Sequence, residues 1–199
     1  YALGVNFMNQ HLSHMTITGA RKYDYPPVFT SLSPWWKDYG SLNDYFARLS
    51  LVLSQGRQEN GWLILEPTTS LWLHYTNVSG GKPLWDIAND FQALLGALER
   101  GQMEYDLGCE DIMADCTSVG RKCLRVGQAR YHTVVLPAKT ENLESRTFQL
   151  MRDFASSGGR IIALGLPDYV DGEESAELQA FMQSDAVIKM QTPQEILSL

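Results

Sequence analysis

The runs Gly61-Trp62-Leu63-Ile64-Leu65-Glu66-Pro67 and Gly159-Arg160-Ile161-Ile162-Ala163-Leu164-Gly165 decide the fold. Each is a short, nearly continuous apolar stretch closed by Gly or Pro. A strand that alternated apolar and polar residues would bury one face; these bury both, as strands of a parallel sheet do. Outward from them the chain alternates. Residues 83–98 carry a helical apolar period, with Pro83 suited to a first turn. Residues 103–105 are a weak strand, 110–116 a short helix, and 123–126 another weak strand. Residues 131–136 are a convincing strand through Thr133-Val134-Val135. A helix over 141–155 ends at Ser156-Ser157-Gly158-Gly159, and a helix over 175–182 precedes a strand over 186–190. A last short helix starts after Thr192, a natural N-cap with Glu195 three residues on. Such alternation predicts an α/β domain over residues 57–199, a doubly wound parallel sheet of flavodoxin-like or class I glutamine amidotransferase-like type. No internal repeat or low-complexity segment interrupts it.

Residues 1–56 read differently. A strand-like run over 4–12 leads into the aromatic, Pro-rich stretch from Tyr23-Asp24-Tyr25-Pro26-Pro27 to Trp36. A helix over 42–53 follows, with Leu42, Tyr45, Phe46, Leu49, Val52 and Leu53 on one face and Gly56 as its stop. One strand, one loop and one helix cannot bury their own apolar faces, so this block is expected to pack on a partner, as a single β/α unit. The chain is therefore expected to be cut from a longer protein. If the block folds poorly by itself, its apolar helix face should drive association with another chain.

Composition narrows the function classes. The 199 residues carry a formal net charge of −7, with 44% hydrophobic and 20% charged residues, which is ordinary globular usage. The 16 Lys and Arg look scattered along an acidic chain, so no nucleic-acid partner is expected. No run of about 18 apolar residues is present, so no membrane span is expected. Tyr1-Ala2-Leu3 opens no basic-then-apolar leader, so a signal for a secreted parent is expected upstream. Cys109, Cys116 and Cys123 are odd in number and lack a Cys-x-x-Cys pair, which argues for structural thiols over a disulfide framework or a zinc site.

Ligands of an open parallel sheet bind beyond the carboxyl ends of its strands. The loop Glu66-Pro67-Thr68-Thr69-Ser70 has hydroxyls but no glycine to let backbone approach a phosphate, and Gly80-Gly81-Lys82 lacks the earlier glycine of a phosphate loop. No cofactor is expected. Gly108-Cys109-Glu110 is the nearest thing to a nucleophile elbow, but no small residue follows the cysteine and His132 falls within a predicted strand. Asp106, Glu110 and Asp111 could attract a cation, although acidic residues at a helix start are favoured by the helix dipole alone, and no metal site is expected. Asn77-Val78-Ser79 is a formal glycosylation sequon. The N-terminal block is richer: Asn6, His11 and His14 can hydrogen-bond hydroxyls, and Trp35 and Trp36 offer rings that stack on sugar faces. The bland reading makes the tryptophans a domain junction and the histidines structural. Two other readings of the chain stand beside it: a self-sufficient flavodoxin-like small-molecule-binding module, and an amidotransferase-like enzyme using Cys109.

Several of these motifs occur together. Gly4-Val5-Asn6 with His11 and His14, Arg21-Lys22-Tyr23-Asp24-Tyr25-Pro26-Pro27, Ser33-Pro34-Trp35-Trp36, Tyr45-Phe46-Ala47-Arg48-Leu49-Ser50 and Leu53-Ser54-Gln55-Gly56 resemble large bacterial glycoside hydrolases, the group that includes family 106 α-L-rhamnosidases. More loosely, Asp106 with Glu110, Val126-Gly127, Tyr131, Val134-Val135-Leu136-Pro137, Gly158-Gly159 and Asp171-Gly172 continue the resemblance. It implies that residues 1–56 are the terminal β/α unit of a truncated catalytic (β/α)8 barrel. It further implies that residues 57–199 are a non-catalytic accessory domain, comparable to one in some β-galactosidases, that braces the barrel or forms homo-oligomers. The acid and base carboxylates of glycoside cleavage would then lie upstream. His11 and His14, with Asn6, Trp35 and Trp36, would line the carbohydrate cleft of a periplasmic or secreted parent, and the fragment alone would be inactive.

Overall fold

The computed structural model describes residues 1, 4–23, 25–77 and 81–199. Val78 and Ser79 of the sequon, and Gly80, lie outside the described residues. The chain divides into two compact units, Tyr1–Gln58 and Glu59–Leu199.

In the first unit, a 3-10 turn over Gly19–Tyr23 is followed by one long helix, α1 (Trp36–Leu53). The helix begins six residues before the predicted position: Ser33 is held by Val28 and Thr30 backbone carbonyls, and Trp36 N–H reaches the Ser33 carbonyl, which sets the first turn. The chain leaves α1 at Ser54, and Gly56 adopts φ +78°, a left-handed conformation that favours glycine. The strand expected over residues 4–12 is not formed; that segment pairs with no strand among the described residues. A strand is made by lateral hydrogen bonds, and extended, alternating side chains cannot supply that partner. No residue of α1 is buried, and Leu42, Tyr45, Leu51, Val52 and Leu53 are all exposed.

The second unit is an α/β sandwich. Its elements in chain order are β1 (Trp62–Leu65), α2 (Thr68–His74), α3 (Lys82–Arg100), β2 (Asp106–Gly108) and α4 (Glu110–Cys116). A meander follows, β3 (Thr117–Gly120), β4 (Cys123–Val126) and β5 (Ala129–Tyr131), then β6 (Thr133–Leu136), β7 (Asn142–Leu143) and α5 (Ser145–Ser156). The chain ends with β8 (Arg160–Ala163), β9 (Tyr169–Val170), β10 (Glu173–Glu174), α6 (Ala176–Gln183), β11 (Val187–Lys189) and α7 (Pro193–Ile196). Five strands make one parallel sheet in the order β11-β8-β6-β1-β2. Ranked by position in the chain and read from the β2 edge, that is second, first, third, fourth, fifth: the flavodoxin-like order, with its reversal between β1 and β6.

The strands are apolar throughout because their alternate residues enter two cores. Leu63, Leu65, Val134, Leu136, Ile161 and Ala163 join Met113 of α4, Phe148, Met151 and Phe154 of α5, and Leu178 and Met182 of α6 on one face. Ile64, Val135 and Ile162 join Leu94 and Leu98 of α3 and Ile196 of α7 on the other. Helices on both faces make the sheet doubly wound, as expected from the alternation of elements.

Several details differ from the expected elements. The strand expected over 103–105 forms three residues later as β2, and α2 and β3 occupy segments expected to be loops. Residues 131–136 are two strands of different sheets. Tyr131 pairs antiparallel with Leu124, whereas Thr133 pairs in parallel with Trp62 and Arg160, so the chain bends at His132. Residues 142–143, expected in a helix, form β7, which pairs with β9 and, through it, β10. This small sheet is built from the loops that follow β6 and β8, at the carboxyl end of the main sheet.

Candidate functional site

The reversal of strand order puts the crevice where such folds bind ligands at the carboxyl ends of β1 and β6. Here the loops that meet there are tied to one another. Ser70 Oγ, fully buried in α2, accepts the amides of Glu141 (2.9 Å) and Asn142 (3.1 Å). Thr69 Oγ1 donates to Glu110 Oε2 at 2.8 Å and lies 3.3 Å from the Asn142 carbonyl. Glu110 Oε1 accepts the Glu144 amide at 2.9 Å, and Asn142 Oδ1 accepts the Gly172 amide at 2.8 Å. At the rim, His74 Nε2 lies 2.7 Å from Glu141 Oε2 and Lys139 Nζ 2.7 Å from Asp90. The hydroxyls that follow the first strand therefore hold protein backbone and a protein carboxyl.

Glu110 is the electrostatic centre of this knot, at 5% exposure. Burial pushes its carboxyl above the ordinary 4.5; the Glu144 amide and the Thr69 hydroxyl oppose that, and Asp111 adds to it. Glu144 is raised as well, by burial and then by the charges of Glu110, Asp111 and Asp171. A folded value above the unfolded one means the native state holds more protons between the two, so the contribution of these two carboxyls to stability is fully present below about 4.5 and is lost as pH rises through the folded values. We expect the urea midpoint of the α/β unit to decline across that window. In Glu110→Gln, which keeps an acceptor for Glu144 and cannot ionise, the decline should flatten. Equal slopes for the two proteins would contradict this assignment.

The two other chemical candidates are separated by the sheet. Cys109 follows the carboxyl end of β2, in relaxed backbone (φ −85°, ψ 126°), whereas His132 precedes the amino end of β6, where its Nδ1–H donates to the Lys122 carbonyl at 2.8 Å. A four-residue strand spans about 13 Å, so the pair expected of a thiol nucleophile and its base is not assembled. Asp106 and Glu110 are parted in the same way. Asp106 accepts Asn60 Nδ2 and the Tyr131 hydroxyl, both at 2.7 Å, near the amino end of the sheet. The Tyr131 phenol is pushed upward by burial and by that bond. Among the described residues no group of three His, Cys, Asp or Glu side chains is placed to hold a metal ion, and none of the helices is long and apolar enough to cross a membrane.

The N-terminal unit gathers some of its expected site residues. Trp35 and Trp36, 45% and 42% exposed, both pack on Tyr39, edge-on at 5.4 Å and stacked at 5.8 Å. Phe29 meets Tyr39 at 6.4 Å, and its amide bonds Ser13 Oγ at 3.4 Å, which ties the segment bearing His14 to the same aromatic group. His14 is half-buried, and its Nε2 is enclosed without a hydrogen-bond partner among the described residues. His11 is exposed and tilts against Tyr25 at 5.3 Å, and Asn6 is exposed. Sequence reading missed Tyr39, the residue on which both tryptophans pack, and also His74 and Glu141; it marked the Ser70 hydroxyl but not its partners. Tyr39 lies one helical turn past Trp35 and so carries a usable signal. The other contacts span 67 to 73 residues and carry none.

No family model and no curated protein matches the chain. Among solved structures the chain is similar to a rhamnosidase from Novosphingobium sp. PP1Y, at 17% identity and a TM-score of 0.53. The likeness covers 87% of this chain and 17% of that one, so the chain spans less than a fifth of the rhamnosidase's length. What the two share is the fold.

Proposed function

We propose that the chain is a piece of a multidomain glycoside hydrolase that acts outside the cytoplasm. In this reading residues 57–199 form an accessory α/β domain that braces or oligomerises the catalytic barrel, and residues 1–56 contribute a wall of its sugar cleft through His11, His14, Asn6, Trp35 and Trp36. The observation that carries the reading is the closed carboxyl end of the sheet. The groups a flavodoxin-like fold would turn toward a ligand are bonded to each other around Glu110, which favours a bracing role for the domain over a binding one. The likeness to a small part of a rhamnosidase supports the choice of parent, and the exposed faces of Trp35 and Trp36 suit stacking on a sugar.

The 199-residue chain assayed alone against aryl glycosides, α-L-rhamnoside included, is expected to release no aryl alcohol above background. Turnover by the isolated chain that survives repurification would overturn the reading, which puts the acid and the nucleophile or base outside these residues.

A further inference from the structure

The β3–β4–β5 meander gathers cations in an acidic chain: residues 117–131 hold Arg121, Lys122, Arg125 and Arg130 and no Asp or Glu. Its register sorts these residues by face. Val119, Leu124 and Tyr131 stand opposite one another and enter the core, while Ser118, Arg125 and Arg130 form a matching row on the outer face. Arg121 and Lys122 sit in the turn joining β3 to β4. All four cations are exposed, and none forms an ion pair with a described carboxylate. Arg125 Nε donates to the Gly127 carbonyl at 3.0 Å, which fixes the stem of an exposed side chain.

Directly opposed like charges destabilise an antiparallel pair, with Cα atoms about 4.5–5.5 Å apart. Two guanidinium groups side by side with a hydroxyl are also a fork for carboxylate oxygens. We propose that this face binds a carboxylated polysaccharide, the choice of a carbohydrate resting on the function proposed above. The face suits such a partner better than nucleic acid or membrane. No aromatic residue between 117 and 130 is available to stack on a base, and the meander carries no exposed large apolar side chain to enter a lipid surface.

The test is affinity electrophoresis of the 199-residue chain in gels containing polygalacturonate or neutral dextran. Retardation by polygalacturonate alone is expected at about 50 mM salt and should fade by about 200 mM. Arg125→Gln/Arg130→Gln should weaken it at least about fivefold, with Arg125→Lys/Arg130→Lys falling between because charge persists without the fork. The melting temperature of the Gln pair should match or exceed the parent's, since an opposed charge pair is removed; that separates lost binding from lost folding. Equal retardation of the folded Gln pair, no retardation of the parent chain, or equal or tighter binding of single-stranded DNA or anionic vesicles would each overturn the proposal. The hydrolase reading fails separately: retardation with an inert longer enzyme sinks that reading alone, and glycoside cleavage without retardation sinks this one alone.

Discussion

Gly165→Ala is expected to destabilise the α/β unit by about 3 kcal/mol, at the upper end of overpacking penalties. Gly165 follows β8 at the carboxyl end of the sheet, pressed against the turn after β6. A Cβ there would lie 2.5 Å from the Pro137 carbonyl oxygen and 2.9 Å from the Lys139 and Thr140 amides. These are backbone atoms, so no rotamer change relieves the contact. The turn is itself constrained: Thr140 Oγ1 donates to Pro137 O at 2.8 Å, and Lys139 holds Asp90. Moving it would also shift Glu141 and Asn142, the residues bonded by Ser70. A domain of this size holds about 5–15 kcal/mol in total, so the loss should appear as a clear drop in urea midpoint. A midpoint within error of the parent's would mean the two loops are not packed backbone to backbone.

Glu110→Ala is expected to cost a comparable amount, about 3 kcal/mol. The substitution leaves the part-buried Glu144 amide without its acceptor and forces the Thr69 hydroxyl onto the longer contact with Asn142. It also opens space beside a packed helix start. Glu110→Gln should cost far less, because its amide oxygen can accept from Glu144 and its NH2 can donate to Thr69. The contrast between the two variants, read by chemical denaturation near neutral pH, isolates the hydrogen bonds from the charge. Equal losses in both would show that ionised Glu110 contributes something a neutral amide cannot.

The sheet was legible in the sequence because strands buried on both faces leave continuous apolar runs. Leu63 to Leu65, Val134 to Leu136 and Ile161 to Ala163 could be read without knowing their neighbours. The bend at His132 could not: residues 131–136 are uniformly strand-forming, and only the change of partner from Leu124 to Trp62 and Arg160 divides them. The small sheet of β7, β9 and β10 was hidden for the same reason, since Asn142-Leu143 reads as the lead-in to a helix and pairs with residues far along the chain. In the N-terminal unit the helix was legible and the strand was not realised, because the side-chain pattern of a strand does not carry its lateral partner. The Ser70, Thr69 and Glu110 knot joins residues 34 to 73 positions apart, so composition marked its hydroxyls but not what they hold. The meander's charge lay in plain sight as four of 16 cations within fifteen residues, yet counting along the whole chain made it look scattered.

We propose that this chain is a piece of a glycoside hydrolase whose chemistry lies outside it and whose cleft it helps to line. The direct measurement is hydrolysis of an aryl glycoside panel, α-L-rhamnoside included, by a longer protein carrying this chain, with His11→Ala and His14→Ala variants beside it. Cleavage by the longer protein is expected, with variants that lose turnover at least about tenfold, or about 1.4 kcal/mol of transition-state stabilisation, while keeping their melting temperature. A longer protein inert across the panel, or variants that cleave at the parent's rate, would contradict it.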